Sequence, residues 1–337
     1  MTKIWDGRIF VCWGKEPKQG FLVHCGWMKD GSYMDISDET LLGWGPQTAL
    51  EQQGGFSYFE DPRILAVSGE RIIIEYSAVY WTNVVFLKYG ILTLNKMTNE
   101  LELDVFRVHQ NQKNWIIVEG SDEQVYFIAS INPLRVVRMF DRSDGEEGFK
   151  LAYEADAPVH LPWDPEYGTE LRGGTPAVLI TNPNKETFGS APPSMYISFF
   201  HTNCNCELPH YGYISYWMGA VTFCPTFPFN IHSISPSPIL NGDMYTGEWC
   251  KYLPHQQVDY VIYPTGGGLL FFVYESTYLH IHTSIHSYSL LHTPIGIVVE
   301  DNGQYMVVSA GHQNDNLMVM NFSIPVLLAS MVVVSEC

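Results

Sequence analysis

Short hydrophobic runs alternate along this chain with polar stretches rich in glycine, proline and asparagine. Runs of this kind, bounded by turn-forming residues, predict β-strands that pair as antiparallel hairpins. No helical repeat of convincing length precedes residue 326, and 326–334 fits either a helix or a strand, although the wider apolar stretch 324–334 favours a buried final strand. The predicted strands are 9–13, 21–27, 64–67, 71–76, 84–87, 90–94, 114–118, 124–129, 135–140, 175–180, 195–201, 213–223, 231–239, 259–263, 269–274, 295–300, 305–310 and 317–324.

These strands fall into about five groups of roughly 60–70 residues, a size that suits the blades of a β-propeller. We therefore predict an all-β fold, a five-bladed β-propeller of four-stranded antiparallel blades. It would form a single domain over residues 1–337, with residues 1–55 as a divergent first blade or closure region. A sandwich of two sheets is the alternative that the same pattern allows.

The charge of the chain restricts its partners. With 36 acidic and 18 basic residues the formal net charge is −18, and the pI is about 4.9. We predict no nucleic acid partner, because the phosphates of a duplex need a basic face. An anionic substrate would need a local cationic pocket. The 20 Tyr, 18 Phe and 9 Trp favour strands, and their flat faces pack well against the C–H surfaces of sugars.

Three features bear on location. The first 20 residues lack the apolar core of a secretory signal. No stretch reaches the roughly 18 apolar residues of a membrane span. The seven cysteines are scattered and odd in number, so we predict free thiols in a reducing compartment, and hence a cytoplasmic protein with no membrane span.

The segment Phe59-Glu60-Asp61-Pro62-Arg63 joins a glycine-rich turn to a predicted strand. Pro62 fixes its own φ and restricts the backbone of Asp61 to extended conformations, so the direction of the aspartate side chain is restricted as well. A carboxylic acid held in this way, with a cation two residues on, suits general acid catalysis. The alternative is a solvated turn closed by an Asp61–Arg63 pair, and these residues alone favour that alternative.

Other polar segments flank predicted strands in a similar way. In a propeller, the corresponding edges of the blades meet at one central pocket, so residues far apart in sequence would line one site. The segments are 109–115, with Lys113-Asn114-Trp115; 171–176, with Arg172 before Gly-Gly-Thr-Pro; 200–201, which ends in His201; 263–267; and 309–315, which ends in Asp315.

From residue 58 onwards, these segments in this order resemble the five-bladed β-propeller enzymes of glycoside hydrolase family 130 and the related glycosyltransferase family 108. Those families contain mainly β-mannoside phosphorylases, with some hydrolases and mannosyltransferases. The resemblance implies that Asp61 is the catalytic general acid, which protonates the leaving oxygen partly through a hydroxyl of the bound mannose. It implies binding of substrate or phosphate by Arg63, Lys113, Asn114, Arg172, His201, Tyr213 (or Tyr211 in its place) and Asp315.

The implied function is an enzyme that makes or breaks a β-glycosidic bond by single displacement, with mannose as the expected sugar. Its partners would be a sugar or glycan substrate and inorganic phosphate or a sugar phosphate, and it would need no cofactor. Two alternatives stay open: a glycosyltransferase that uses a nucleotide sugar in glycan synthesis, and a non-catalytic propeller that binds glycans or proteins. A carboxylic acid held in a fixed direction at Asp61 argues against the non-catalytic propeller, because a protein that only binds does not need one.

The residues singled out also have structural explanations. Arg172 can pair with Glu170, His201 can be a satisfied core histidine, and Asp315 can cap a turn. In a strand, His280 and His282 would lie on one exposed face without any ion. We therefore predict no metal site.

Overall fold

The part of the chain that the structure describes consists mostly of β-strands, which confirms the all-β prediction. The computed structural model describes residues 2–3, 9–15, 22–29, 32–41, 56–80, 85–95, 100–107, 114–139, 149–181, 193–204, 215–239, 262–267, 281–282, 297–299, 304–312 and 316–337, and for several strands it describes the backbone alone. These residues form 23 strands, one α-helix and a 3₁₀ turn at Pro165–Tyr167.

The described strands pair into five antiparallel sheets, which we number I to V in chain order. In sheets I, II and III each strand pairs with the next one along the chain, as hairpins joined by short turns do. Sheet I contains β1 (Thr2–Lys3), β2 (Ile9–Lys15), β3 (Leu22–Lys29) and β4 (Ser32–Leu41). Sheet II contains β5 (Phe56–Val67), β6 (Arg71–Tyr80), β7 (Val85–Asn95) and β8 (Glu100–Arg107). Sheet III contains β9 (Ile116–Glu119), β10 (Val125–Ser130), β11 (Arg135–Met139) and β12 (Phe149–Glu154).

Sheets IV and V have more than the four strands predicted for each blade. In sheet IV, two short strands, β13 and β14, pair with the same long strand β15. The loop between β13 and β14 contains Pro176, which lacks the N–H that a continuous ladder needs. Sheet IV contains β13 (Arg172–Gly173), β14 (Val178–Thr181), β15 (Ser194–Cys204), β16 (Ser215–Phe223), β17 (Ile231–Ile234) and β23 (Val332–Val333). Sheet V contains β18 (Ile262–Gly267), β19 (Ile281–His282), β20 (Ile297–Val299), β21 (Tyr305–His312) and β22 (Asn316–Ser323).

Sheet III is packed between sheets II and IV. On strand β9, Ile117 joins a cluster with Ile73 of sheet II. Its neighbours Ile116 and Val118 point to the other face and join a cluster with Phe200 of sheet IV. Successive side chains of a strand alternate between faces, so an unbroken apolar run such as 116–118 is what a strand buried on both sides requires.

A third core cluster joins sheets IV and V. Burying each large apolar side chain in such a cluster stabilises the fold by roughly 1.5–3 kcal/mol, so the three clusters account for much of the cohesion between neighbouring sheets. The cluster includes Phe199, Met218, Met306, Phe322, Leu327 and Leu328.

The C-terminal segment returns from sheet V to sheet IV. After β22 the chain forms helix α1 (Ile324–Ser330), with Pro325 in the first turn, where a missing N–H costs little. Strand β23 then pairs with β17 of sheet IV. The prediction of a strand over 324–334 is therefore wrong for its first seven residues and right only for β23. Among the described residues, no helix combines the length and apolar character needed to cross a membrane.

A disulfide joins Cys224, just after β16, to Cys337, with Cα atoms 5.3 Å apart and a sequence separation of 113. These two cysteines are therefore not the free thiols that we predicted. The prediction failed because a pairing over so long a separation leaves no spacing signal in the sequence. Disulfides persist mainly in oxidising compartments, which argues against the reducing compartment inferred from the cysteine count.

Candidate active site

Asp61 lies at a β-bulge in strand β5. Glu60 is opposite Ser77 and Arg63 is opposite Glu75 on β6, so Asp61 and Pro62 together occupy the space of one partner residue. A bulge accommodates Pro62, which has no N–H to donate to the ladder, and bulges often redirect a side chain beside an active site. The Asp61 side chain itself lies outside the part of the chain that the structure describes.

Arg63 is completely buried, and its guanidinium contacts at least three groups among the described residues. Its Nε donates to the carbonyl of Gly174 at 2.5 Å, and its Nη2 donates to Oδ1 of Asn114 at 2.8 Å. Its Nη1 lies 3.6 Å from Oε1 of Glu75, which is equally buried and which also accepts from the backbone N–H of Trp115 at 3.4 Å. A guanidinium without water needs such partners, since desolvating an unpaired charge costs several kcal/mol.

Asn114 joins this network from the start of sheet III. It is buried and has φ of 67°, in the left-handed region that asparagine tolerates better than most residues. Its backbone carbonyl lies directly against Gly173 of sheet IV. A Cβ atom at position 173 would stand 2.5 Å from that oxygen and 2.6 Å from Cγ1 of Ile116, so only glycine fits. Sheets II, III and IV therefore meet at Asn114 and Gly173.

Arg172 and His201 lie side by side in sheet IV. They are directly opposite each other on β13 and β15, so their side chains share one face of the sheet. The side chain of Arg172 is 30% exposed and its Nη2 lies 2.8 Å from Oε2 of Glu170, whose side chain is 64% exposed. His201 is 1% exposed. This face thus has a solvent-accessible cation beside a buried imidazole.

The loop after Arg172 is fixed to β15 by several hydrogen bonds. The N–H groups of Gly174 and Thr175 both donate to the carbonyl of Phe199 at 3.0 Å, and the Thr175 Oγ1 accepts from Phe199 N at 2.9 Å. Ser198 Oγ donates to the carbonyl of Thr175 at 2.8 Å. These bonds hold the Gly174 carbonyl in place to receive Arg63, so the loop is a rigid part of the site.

The structure therefore brings together four of the polar segments that the sequence singled out. Arg63 contacts Asn114, Asn114 abuts Gly173, and Arg172 is paired with His201. The guanidinium of Arg63 is directed at protein groups, and its binding of substrate or phosphate stays a prediction. Three further predicted site residues lie outside the described part of the chain: Lys113, Tyr213 and Asp315.

Glu75 is a member of this network that the sequence analysis did not select. It follows three consecutive isoleucines in β6 and is fully buried. The available signal was a carboxylate directly after an unbroken run of isoleucines, because a buried charge needs a partner of opposite sign. No group of three or more potential metal ligands occurs among the residues that the structure describes.

Two solved structures with a similar fold are a phosphorylase and a glycosyl hydrolase. A β-1,2-mannobiose phosphorylase from Listeria innocua is 13% identical, with a TM-score of 0.54 over 92% of this chain and 69% of that protein. A glycosyl hydrolase from Bacteroides ovatus is 11% identical, with a TM-score of 0.58 over 95% of this chain and 82% of that one. The chain shares the fold of these enzymes.

A mannose phosphorylase from Leishmania mexicana, in complex with phosphate ion, also aligns over the whole chain, with 10% identity and a TM-score of 0.43. That score is too low to support an inference. Neither a protein-family model nor a curated protein matches the sequence. The likeness to the first two structures extends to the fold alone.

Proposed function

We propose that the chain is a carbohydrate-active enzyme in which the five sheets are the blades of one β-propeller domain, residues 1–337. Strand β5 of sheet II contacts β2 of sheet I, β9 of sheet III and β18 of sheet V, as a strand near a central axis would. Sheet I, within residues 1–55, would be the divergent first blade.

We further propose that the enzyme makes or breaks a β-mannosidic bond with phosphate or a sugar phosphate as co-substrate. The observation that carries this proposal is the meeting of Arg63, Asn114, Gly173 and Arg172 from three different sheets. A purely structural salt bridge would not need the adjacent pair of Arg172 and His201 with one cation open to solvent. The fold shared with a mannobiose phosphorylase supports the same function.

The proposed reaction is a single displacement at the anomeric carbon. Asp61 donates a proton to the leaving oxygen while a phosphate oxygen attacks the carbon, so the glycosidic bond breaks as the bond to phosphate forms. Lys113, Arg172 and His201 would bind the phosphate through charge-assisted hydrogen bonds. Asn114, Tyr213 and Asp315 would hold the sugar. Arg63 would act as a positioning residue, because its bond to Asn114 fixes that amide.

Glu170 sets the affinity of Arg172 for an anion. The Arg172–Glu170 pair is partly exposed, and such pairs contribute only about 0–1 kcal/mol. A phosphate makes charge-assisted bonds of about 1.5–3 kcal/mol each, so it can displace the carboxylate from Arg172. Glu170 would then compete with phosphate without preventing its binding.

Two variants test the phosphate site in opposite directions. Glu170→Gln should tighten phosphate binding, because it removes the competing carboxylate, and Arg172→Gln should weaken it about tenfold or more. Affinity for a neutral oligosaccharide should change little in both variants. Isothermal titration with phosphate and with a neutral mannoside distinguishes the outcomes. If both variants alter both ligands alike, Arg172 has only a structural role and the proposed phosphate site is wrong.

The competing function is transfer from a nucleotide sugar. The same catalytic acid and sugar site would serve it, but the enzyme would consume an activated donor and ignore inorganic phosphate. Product analysis with a nucleotide-linked mannose and simple sugar acceptors separates the two reactions.

A further inference from the structure

Residues 331–337, which we call the C-terminal strap, lie at the outer edge of sheet IV. Val332 and Val333 of β23 pair with Ile234 and Ser233 of β17, and among the described strands β23 pairs with β17 alone. The two valines are 42% and 60% exposed, so their side chains bury little apolar surface. The strap is therefore attached along one side only, and the rest of the sheet does not depend on it for strand pairing.

Beyond β23 the strap is held by hydrogen bonds to two residues of β17. The N–H groups of Val334 and Ser335 donate to the carbonyl of His232 at 2.7 and 3.3 Å. The Ser335 Oγ donates to the carbonyl of Ile231 at 2.6 Å, and Nδ1 of His232 donates to the carbonyl of Ser335 at 2.8 Å. Each bond contributes only modestly to the attachment, because the same groups of a detached strap would bond to water.

The disulfide fixes the far end of the strap, and its two sulfur atoms belong to residues with different exposure. Cys224 is buried, and its N–H donates to the carbonyl of Asn230 at 2.8 Å, so it is anchored in sheet IV. Cys337 is exposed to solvent. Thiol–disulfide exchange needs access of a thiolate to one of the two sulfurs. An attacking thiolate can therefore reach this disulfide at Cys337.

We propose that the Cys224–Cys337 disulfide is a redox-sensitive lock on the strap, which a dithiol reductant opens while the rest of the chain stays folded. A thiolate of the dithiol attacks Sγ of Cys337, the S–S bond breaks, and Cys224 leaves as a thiolate that takes up a proton. The second thiol of the reductant then displaces Cys337 and closes the oxidised dithiol. Two electrons and two protons thus pass from the dithiol to the protein.

Release of the strap leaves the core of sheet IV in place. Met331 belongs to the core cluster between sheets IV and V, and Val334 packs against the cluster between sheets III and IV. Most members of both clusters lie outside the strap, among them Phe199 and Phe200 of β15. The pairing of β15 with β16 and of β16 with β17 does not involve the strap either. Reduction should therefore detach the strap without unfolding the sheets. The lock uses none of the residues assigned to the proposed catalytic function.

Alkylation and hydrogen exchange of the full chain, with and without dithiothreitol and in the absence of denaturant, test the lock. In dithiothreitol, Cys337 should become alkylated. Peptides that contain the amides of Val334 and Ser335 should exchange about tenfold faster or more than in the oxidised protein, because opening of the strap no longer has to break a covalent link. The circular dichroism spectrum should stay the same. A disulfide that is reduced only in denaturant, or a loss of the strand spectrum on reduction, would overturn the proposal.

Cys337→Ser is the matched control, because it removes the disulfide and keeps the hydrogen bonds of Val334 and Ser335. Without reductant, this variant should exchange at the strap as fast as the reduced wild-type protein, and dithiothreitol should not change it further. An effect of the reductant through the other cysteines would appear in the variant as well. Equal exchange of the strap in the oxidised and reduced wild-type protein, or the same response to dithiothreitol in the variant, would rule out the lock.

Discussion

Replacing Arg63 with methionine removes the buried charge that joins sheets II, III and IV. Methionine keeps much of the side-chain length but cannot donate to Gly174 or Asn114, and it leaves the carboxylate of Glu75 buried without this cation. Breaking a buried ion pair by removing one partner costs about 3–5 kcal/mol. For 337 residues the unfolding entropy is about 0.7 kcal/mol/K, so the melting temperature should fall by about 4–7 °C.

Chemical denaturation of three variants measures this effect. Arg63→Met should lose about 3–5 kcal/mol of unfolding free energy, and the double change Arg63→Met with Glu75→Leu should recover at least half, because both charges of the buried pair are then absent. Arg71→Met is the control, since Arg71 belongs to the same hairpin and its bond to the carbonyl of Ser68, at 3.2 Å, is exposed to solvent. A loss below about 1 kcal/mol for Arg63→Met, equal to the control, would refute this account of the network.

Three further predictions concern stability. Gly173→Ala should cost about 1–3 kcal/mol in chemical denaturation, because its Cβ would meet the Asn114 carbonyl at 2.5 Å, and an unchanged midpoint would show that the two sheets can separate freely. Non-reducing peptide mapping should recover Cys224 linked to Cys337, whereas two alkylated thiols would contradict the disulfide. Because the disulfide spans a sequence separation of 113, its removal should lower the unfolding free energy by about 4–5 kcal/mol. Burial, and next the hydrogen bond to Asp122, raise the pKa of Tyr126 from 10.0 to about 12, so the neutral phenol stabilises the fold fully below pH 10 and this stabilisation is lost as the pH rises through about 12. Tyr126→Phe should remove this pH dependence of the unfolding free energy. A variant with the wild-type pH profile would contradict the prediction.

Most of the strands followed from local sequence patterns. The run Ile72-Ile73-Ile74 predicted a buried strand and forms part of β6. For this strand the cause lies within a few residues, so the sequence is sufficient to predict it. Pro62 was placed at the junction between a glycine-rich turn and a strand predicted from residue 64, whereas β5 already begins at Phe56 and passes Pro62 at a bulge.

The contacts that define the site depend on long-range pairing and did not follow from the sequence. Binding of substrate or phosphate by Arg63 stays a prediction, and no residue near Arg63 in sequence indicated that its guanidinium donates to Gly174, which is 111 residues away. The disulfide and the return of β23 to sheet IV have the same character, because each depends on the packing of whole sheets. Helix α1 was missed for a local reason: its β-branched and leucine residues fit a strand as well as a helix.

Phosphorolysis of a β-mannoside is the most direct test of the proposed function. The purified protein is incubated with a β-mannobiose, with and without inorganic phosphate, and the products are identified. The account predicts mannose 1-phosphate only when phosphate is present, and a loss of about 10²–10⁴-fold in rate for Asp61→Asn, which keeps the side-chain volume but cannot transfer the proton. Release of free mannose without phosphate, or an Asp61→Asn variant with the wild-type rate, would contradict it.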